Sequence, residues 1–423
     1  MQHHKGLLIV LDGLGDRPIP ALDNQTPLER AYTPNMDRLL ASGMCGLADP
    51  LSPGVPVGTH TGTGLLFGLP VRAAIDLSRG PVEAAGIGLI SQPGDVLLRC
   101  NFATLERRAD GFDILDRRAG RIQSGGGELA KALDLMTLGN GITATFRQAT
   151  HHRAVLKLSG RALSSRITDT DTASRYKSLG LRPCKARDPR DDRAVATAAA
   201  VNLFTERAFG ILKDHPVNIE RARQGKLPAN GIICRSAGTR LEMPSLVNHL
   251  GLKAAVVAGE GTILGMAKLL GYEAMTHERF TSLPDTDIDM KIDRAIKALQ
   301  NNDLVFLHLK GTDICSHDCD PAGKTQLIER FDKAMAPILD LDAVIGISGD
   351  HSTDCNTGRH TGDPVPSLIS SAYGRVDRVE HFGERYCVGG GLGRITASNF
   401  LATLLDQMNF PQNFKSNEGG FYF

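Results

Sequence analysis

The chain has no surplus of charge of either sign. Its 48 Lys and Arg residues face 47 Asp and Glu residues, so the formal net charge is only +1. Such a protein has no overall field that would attract nucleic acid or an anionic membrane surface. We therefore expect no nucleic-acid or membrane partner, and an anionic ligand must be held locally by a few placed Arg and Lys side chains.

Long apolar runs and a dense cysteine framework are also missing. No stretch approaches the roughly 20 apolar residues that span a bilayer, and the polar residues 1–5 lack the features of a secretory signal. The 8 cysteines are scattered, and reduced thiols are the default for such a chain inside the cell. These absences predict a cytoplasmic protein.

Three continuous apolar runs stand out in what the chain does contain, at residues 6–11, 304–309 and 343–348. Each run predicts a strand that is buried on both faces. Helical patterns lie between them, for example at 289–299 and 325–339. This alternation predicts an α/β fold with a mostly parallel sheet flanked by helices. In such sheets the chemistry lies beyond the carboxyl ends of the strands.

The middle of the chain has a different character. Residues 77–240 are rich in Arg and Gly and contain no comparable strand that ends in an acid. A chain of 423 residues is long enough for two domains. We therefore predict an inserted, smaller α/β domain at 77–240, inside a discontinuous main domain formed by 1–76 and 241–423.

Ligand-type side chains follow the three predicted strands and the short polar loop after the last one. Carboxylate oxygen and imidazole nitrogen together suit zinc, manganese or iron better than calcium. Two such ions about 3.5–4 Å apart can clamp the attacking and leaving oxygens of an in-line displacement. One pair alone would mean little, but their joint position at strand ends predicts a metal site. The predicted ligands are Asp12, Asp313, His317, Asp350, His351 and His360.

A loop rich in Gly and Thr, residues 53–68, precedes a short apolar stretch. This pattern is typical of a loop that leads into a helix N-terminus, where backbone N–H groups and the helix dipole favour anions. A hydroxyl next to a divalent ion there can act as a nucleophile near neutral pH. Thr59 is the candidate nucleophile, and the spacing leaves Thr61 and Thr63 open as alternatives.

With these residues identified, the chain resembles the archaeal-type cofactor-independent phosphoglycerate mutases of the alkaline phosphatase superfamily. The matching stretches are long, specific and spread almost from end to end. They are residues 10–18, 26–37, 79–86, 100–104, 116–121, 215–218, 227–230, 349–353 and 360–366.

The resemblance implies an alkaline-phosphatase-like, metal-binding domain with an inserted substrate-binding transferase domain. It implies two divalent metal ions, Mn²⁺ or Zn²⁺, and a small phosphorylated acid as substrate. One ion is expected on Asp313, His317 and His360, and the other on Asp12, Thr59, Asp350 and His351. Lys310 matches the lysine that steadies the transferring phosphoryl group. The expected substrate-binding residues are Arg118, Arg121, Arg153 and Arg235, because the planar guanidinium meets a carboxylate or phosphate with two parallel hydrogen bonds.

The reaction that the resemblance implies is a step of glycolysis and gluconeogenesis that needs no 2,3-bisphosphoglycerate. A phosphoryl group passes from the substrate to Thr59, and the glycerate then presents its other hydroxyl. The phosphoryl group returns, so 3-phosphoglycerate and 2-phosphoglycerate interconvert. The metals and Lys310 would stabilise the charge on the transferring group. Retaining glycerate against water would require domain closure.

The nucleophile loop departs from the family pattern, which reads Pro-Gly-Ser-Asp-x-Ala-His. Thr59, His60 and Thr63 stand where that pattern has serine, aspartate and histidine. This departure keeps a second hypothesis open: a metal-dependent hydrolase or phosphotransferase acting on another small phosphate or phosphonate acid. A third hypothesis, an inactive member used as a binding protein, is disfavoured by the complete set of six ligand-type residues.

Overall fold

The computed structural model describes residues 3–171, 180–240, 243 and 245–410. The chain divides into two compact units. The first unit is formed by residues 1–77 and 243–423, and the second by residues 78–242. Whether the second unit binds substrate stays a prediction.

The strands are short, and most belong to one of two sheets. In chain order they are β1 (Gly6–Leu11), β2 (Gly43–Asp49), β3 (Val96–Arg108), β4 (Gly111–Asp116), β5 (Met136–Thr137), β6 (Thr143–Gln148), β7 (Arg153–Ser159), β8 (Gly231–Gly238), β9 (Ala254–Val257), β10 (Glu273–Met275), β11 (Leu304–Leu309), β12 (Val344–Ser348), β13 (Ser352–Asp354), β14 (Arg359–Thr361), β15 (Val365–Ser370) and β16 (Gly393–Thr396).

The helices range from single turns to more than five turns. They are α1 (Pro27–Arg30), α2 (Pro34–Leu40), α3 (Thr59–Leu66), α4 (Val71–Ile75), α5 (Arg79–Gly86), α6 (Gly126–Ala132), α7 (Asp192–Leu212), α8 (Pro216–Arg223), α9 (Leu246–Leu250), α10 (Gly261–Leu269), α11 (Ile288–Ala298), α12 (Gly311–His317), α13 (Pro321–Ala334), α14 (Glu384–Cys387) and α15 (Ala397–Gln407), with 3₁₀ turns at Pro20–Leu22 and Ala336–Asp340.

The first unit is built on an eight-stranded sheet in the order β10-β9-β11-β1-β12-β15-β2-β16. The five strands from β10 to β12 run parallel to one another. β15 is antiparallel to both of its neighbours, and β16 is parallel to β2. The prediction of a mostly parallel sheet with helices is therefore confirmed.

All three strands predicted from apolar runs are present as β1, β11 and β12. Every residue in them is buried, as expected for strands covered on both faces. Alternate side chains of β1 and β11 join the cluster that includes residues of α11 and α13. On the opposite face, Phe306 of β11 packs against Phe67, with ring centroids 4.5 Å apart. Each such buried side chain contributes about 1.5–3 kcal/mol, which fixes the ends of these central strands in space.

The predicted helices are also present, with shifted ends. The helix predicted at 289–299 is α11, and the one predicted at 325–339 is α13, which begins and ends earlier. Asp320 caps α13 through the N–H of Gly323, and Pro321 occupies the first turn. Proline is favoured there because its missing N–H has no partner inside the helix.

The second unit contains an antiparallel sheet in the order β4-β3-β7-β6-β5, with β8 also paired to β3. The long helix α7 has the length and apolar composition of a membrane span. However, ten of its side chains, including Phe204, are buried, and the Phe204 ring lies 5.5 Å from that of Phe146. Packing inside the second unit therefore accounts for its apolar face.

Candidate metal centre

The carboxyl ends of three neighbouring strands carry the first group of polar side chains. β1 lies between β11 and β12 and is in parallel register with both. Asp12 follows β1, Lys310 follows β11, and Asp350 and His351 follow β12. Because parallel neighbours end at the same edge of a sheet, these side chains meet there.

Two short elements bring the remaining ligand-type residues to the same edge. Asp313 and His317 lie one turn apart on α12, so they share one face of that helix. His360 lies on β14, directly opposite Thr353 of β13. The hairpin thus returns His360 towards His351, and their rings stack with centroids 3.8 Å apart.

Helix α3 places the candidate nucleophile among these groups. Gly58 caps the helix, and Thr59 is its first residue. A Cβ on Gly62 would lie 1.9 Å from the carbonyl oxygen of Asp350, so glycine is required for this helix to approach the strand end. The Thr59 hydroxyl lies 2.9 Å from Lys310 Nζ, 3.2 Å from His351 Nε2 and 3.5 Å from Asp12 Oδ1.

The potential ligand atoms form two overlapping groups. Oxygen and nitrogen atoms of Asp12, Asp350 and His351 lie within 4.8 Å of one another, and so do those of Asp313, His351 and His360. His317 Nε2 lies 3.4 Å from Asp313 Oδ2 and 3.2 Å from His360 Nε2. The structure therefore brings all six predicted ligands together, with His351 between the two groups.

Two histidines are held in a fixed tautomer by the backbone. His317 Nδ1 lies 2.8 Å from the carbonyl oxygen of Gly358, and His360 Nδ1 lies 2.7 Å from that of Val57. A carbonyl oxygen only accepts, so each Nδ1 carries the proton. In the neutral ring, each Nε2 then keeps a lone pair, as is usual for metal-ligating histidines.

The charges in this centre are unbalanced. Burial alone would raise the pKa of Asp12, but the Lys310 ammonium 3.0 Å away acts together with His308 and His351 to bring this pKa well below the ordinary value. The pKa of Asp313 is likewise lowered by Lys310 against the effect of burial. Burial, followed by the charge of Asp12, raises the pKa of Asp350 to about 7. Lys310 thus acts on all three buried carboxyls, and its charge lowers the pKa of Asp350 without offsetting the effect of burial.

These observations fit divalent cations. The Nε2 atoms of His317 and His360 are oriented by second hydrogen bonds, and buried carboxylates supply oxygen ligands. A cation beside Asp350 would offset the effect of burial and lower the raised pKa of this carboxyl. The donor set is mixed nitrogen and oxygen, which suits zinc or manganese.

Sequence reasoning missed several members of this centre, among them His308 and the role of Thr63. His308 lies inside β11, where its Nε2 is 3.1 Å from Asp12 Oδ2, although without hydrogen-bond geometry. Residues two apart in an extended strand share a face, so His308 could have been considered together with Lys310. Thr63, weighed only as a rival nucleophile, donates a 3.0 Å hydrogen bond to Asp350 Oδ2.

The predicted arginines lie in the second unit, near a buried ion pair. Arg99 Nε lies 2.9 Å from Glu83 Oε1, and burial lowers the pKa of Arg99 to about 9, with Arg153 and Arg235 among the charges that lower it further. Arg235 Nη1 also lies 3.6 Å from Asp171 Oδ2.

The other two predicted arginines are exposed. Arg118 contributes, after burial and Arg153, to the lowered pKa of His152, so these side chains share one neighbourhood. Arg121 lies on the loop after β4 with a φ of 56°. Neither Arg99 nor His152 was predicted as a site residue, because no sequence motif marks either side chain as functional.

Three comparisons with known proteins bear on this centre. The family model described as the metalloenzyme superfamily matches residues 4–407. A 2,3-bisphosphoglycerate-independent phosphoglycerate mutase of Methanopyrus kandleri is 41% identical over 411 residues, covering 95% of this chain and 96% of that protein. The enzyme of that name from Thermococcus kodakarensis is 40% identical over 421 residues, covering 98% and 100%.

Solved structures give the same result. A protein of Pyrococcus horikoshii superposes with a TM-score of 0.82 at 33% identity and covers 98% of this chain and 100% of its own. The cofactor-independent phosphoglycerate mutase of Thermoplasma acidophilum superposes with a TM-score of 0.66 at 33% identity, covering 95% and 99%. The similarity therefore extends over both units and is not confined to the ligand-bearing strands.

Proposed function

The chain belongs to the metalloenzyme superfamily and, within it, to the 2,3-bisphosphoglycerate-independent phosphoglycerate mutases, and we propose that it interconverts 3-phosphoglycerate and 2-phosphoglycerate through a phosphothreonine on Thr59. The family expected from the sequence motifs is thereby confirmed, and the protein is an isomerase of the cofactor-independent kind.

The observation that carries the proposal is the convergence on the Thr59 hydroxyl. Lys310 Nζ, Asp12 Oδ1 and His351 Nε2 all lie within 3.5 Å of this oxygen. The neighbouring carboxylates hold the pKa of Lys310 above its ordinary value despite burial, so the ammonium is charged at neutral pH. A charged donor at this point stabilises negative charge on the hydroxyl oxygen and on an arriving phosphoryl group.

The ligand groups support two metal positions, and we assign their ligands as the family resemblance implies. One is formed by Asp313, His317 and His360, and the other by Asp12, Thr59, Asp350 and His351. Divalent cations bound there, Mn²⁺ or Zn²⁺, would supply Lewis-acid stabilisation of the transferring phosphoryl group. Their protein ligands orient the site before substrate arrives, which avoids reorganisation during the reaction.

The path for substrate is indicated by exposure. The His317 side chain is 41% exposed, whereas those of Asp12 and His351 are fully buried. A phosphorylated acid would therefore present its phosphoryl group from the His317 side, towards the N-terminus of α3, which favours negative charge.

We assign the carboxylate and hydroxyls of the glycerate to the second unit. Arg118, Arg121, Arg153 and Arg235 are the proposed contacts, because guanidinium groups bind carboxylate in a planar, two-point geometry. Holding the glycerate through both transfers is what separates a mutase from a hydrolase. A cytoplasmic location and a role in glycolysis and gluconeogenesis are parts of the same proposal.

Phosphorus NMR tests the reaction directly. Protein loaded with manganese or zinc is mixed with 3-phosphoglycerate in the absence of 2,3-bisphosphoglycerate. The manganese-loaded sample is quenched and treated with chelator before the spectrum is recorded. We expect a 2-phosphoglycerate signal to grow without free phosphate. Free phosphate alone would contradict the mutase proposal.

One observation favours a second candidate, the metal-dependent hydrolase or phosphotransferase for another small phosphate or phosphonate acid. The nucleophile loop carries Thr59, His60 and Thr63 in place of the family's serine, aspartate and histidine, and Thr63 binds a metal-ligand candidate, Asp350. These changes lie in the loop that would determine whether the phosphoryl group returns to the retained glycerate or passes to another acceptor. In the same NMR experiment, no change in 3-phosphoglycerate but turnover of another phosphate or phosphonate acid would favour this candidate.

A further inference from the structure

The hydroxyl of Thr353 touches one ligand assigned to each of the two proposed metal positions. Thr353 lies in β13 and is fully buried. Its Oγ1 lies 2.9 Å from Asp313 Oδ1 and 3.0 Å from His351 Nδ1. One side chain therefore connects Asp313, assigned to the first metal, with His351, assigned to the second.

The direction of these two hydrogen bonds follows from the available protons. The Asp313 carboxylate can only accept, so the single hydroxyl proton of Thr353 points to it. The Thr353 oxygen must then accept from His351, which places the imidazole proton on Nδ1. His351 Nε2 is left with its lone pair directed to the space that it shares with Asp12 Oδ1, 3.3 Å away.

His351 differs in this respect from the other two histidines. The Nδ1 atoms of His317 and His360 donate to backbone carbonyls, which no substitution of a neighbouring side chain removes. The tautomer of His351 instead depends on a hydroxyl that a point mutation can delete. Without it, the buried Nδ1–H would have no acceptor, and the alternative tautomer would place the proton on the ligating Nε2.

The surrounding backbone holds the Thr353 hydroxyl in place. The Thr353 N–H donates to the carbonyl of Gly15 at 2.9 Å, and its carbonyl accepts from the buried Lys324 Nζ at 3.3 Å. Gly13 has a φ of 65°, and a Cβ there would lie 2.7 Å from Thr353 Oγ1. The loop after β1 thus leaves room for this hydroxyl and no more.

We propose that Thr353 is a positioning residue that couples the two metal sites, by holding His351 in its ligating tautomer and orienting Asp313. The inference rests on the proposed two-metal centre. Hydrogen bonds in a chain polarise one another, so a cation on His351 strengthens the bond that Thr353 donates to Asp313. Loss of such an outer contact typically costs 10–100-fold in metal affinity.

The matched variants are Thr353→Val and Thr353→Ser. Valine keeps the shape of threonine but has no hydroxyl, whereas serine keeps the hydroxyl and loses only a methyl group. Chelator-treated proteins are titrated with zinc in a calorimeter. We expect about a 10–100-fold loss of zinc affinity in Thr353→Val and nearly unchanged binding in Thr353→Ser.

A second readout does not depend on metal. Nitrogen-15 NMR of the metal-free protein reports which ring nitrogen of each histidine carries the proton. We expect the His351 signal to change tautomer in Thr353→Val, while His317 and His360 keep theirs. A merely structural role for Thr353 would not produce this selective change.

Two results would overturn the proposal. One is Thr353→Val protein that binds zinc as the parent does and keeps the His351 tautomer. The other is Thr353→Ser protein that loses as much affinity as Thr353→Val, because the methyl group would then be the important feature; this comparison holds even if the valine variant folds poorly. A parent protein that binds no zinc while retaining the His351 tautomer would instead refute the two-metal centre, which separates the two failures.

Discussion

The charged clusters of the two units are opposite in sign. In the first unit, the buried carboxyls Asp12, Asp313 and Asp350 surround a single lysine, Lys310. In the second unit, arginines that include Arg99 outnumber the acids near them. The first cluster has more carboxylates than ammonium groups and is suited to cations, whereas the second has positive charge to offer an anion.

The contacts around the Thr59 hydroxyl differ from the buried ion pair of the second unit, although Asp12 Oδ2 and His308 Nε2 also lack hydrogen-bond geometry. Thr59, Lys310 and Asp12 are joined by hydrogen bonds of good geometry. In the second unit, Glu83 and Arg99 touch as ions, yet their contacting atoms lack hydrogen-bond geometry. A phosphoryl-transfer site benefits from the first arrangement, because oriented groups need no reorganisation as charge develops.

The largest expected effect is that of Thr59→Ala on turnover. Removing a nucleophile costs on the order of 10⁴–10⁶-fold in rate, while the carboxylate and imidazole ligands remain for metal. We expect turnover of 3-phosphoglycerate to fall by that amount with zinc binding retained. Thr61→Ala is the control and should keep most activity; an active Thr59→Ala enzyme would move the nucleophile to Thr61 or Thr63.

Lys310→Met tests whether a cation can replace the missing charge in the first unit. Breaking a buried charge cluster by removing one partner costs about 3–5 kcal/mol, here because Asp12 and Asp313 lose their ammonium. Urea denaturation measures the unfolding free energy. We expect this loss when chelator is present, and a partial recovery when zinc is added.

Lys291→Met is the control for that experiment. Lys291 is also buried, burial lowers its pKa to about 8, and its Nζ donates to the backbone carbonyl of His308. Because no carboxylate would be left unpaired, little stability should be lost and zinc should act as in the parent. Two outcomes would contradict this explanation. One is that zinc restores no unfolding free energy in either variant, and the other is that it restores the same amount in both.

Glu83→Gln makes the corresponding change in the second unit. It leaves buried Arg99 without its carboxylate, at a cost of about 3–5 kcal/mol. Here zinc should restore nothing, because no metal ligand is involved. Glu206→Gln, which breaks the exposed pair with Arg107, should cost little stability because solvent screens exposed ion pairs. Zinc-dependent recovery of Glu83→Gln would remove the distinction between the two clusters.

The smallest effect is a pH dependence in the second unit. Burial, followed by Arg153 and Arg118, lowers the pKa of His152 from 6.5 to about 3. Below pH 6.5, His152 then binds a proton in the unfolded chain but not in the folded protein. Stability therefore falls as the pH drops from 6.5 towards 3. We expect the melting temperature of His152→Gln to fall less than that of the parent when the pH is lowered from 7 to 5.

His381 provides a control of opposite sign for the pH experiment. Its hydrogen bond with Asp37 raises the pKa of this exposed histidine. The folded state therefore gains stability below pH 6.5 that is lost as the pH rises. His381→Gln should lose slightly more stability at low pH than the parent, and a change in the same direction as His152→Gln would contradict both assignments.

Some features of the first unit could be predicted from the sequence, and others could not. β1, β11 and β12 were predicted because runs of mainly apolar residues mark strands buried on both faces. Their parallel order then brings Asp12, Asp313 and Asp350 to one edge. The hydrogen-bond partners of these ligands could not be predicted from the sequence. Thr353 contacts His351 because of the conformation of the strand, and it contacts Asp313, which lies 40 residues away in the chain. Such contacts depend on register and on close approach at Gly13, which local patterns do not reveal.

The arginine cluster was harder still to predict. Arg235 and Arg99 stand opposite each other on β8 and β3, yet more than a hundred residues separate them in sequence. Their pairing depends on an antiparallel register that the Arg-rich composition of residues 77–240 does not contain. Composition therefore indicated an anion-binding region without giving its geometry.

Trapping the phosphoenzyme tests the central claim most directly. Metal-loaded protein is mixed with 3-phosphoglycerate, quenched in acid and digested, and the peptides are sequenced by mass spectrometry. The account predicts one phosphoryl group on Thr59, and none in Thr59→Ala. A phosphoryl group on Thr61 or Thr63, or an active enzyme with no phosphopeptide, would contradict it.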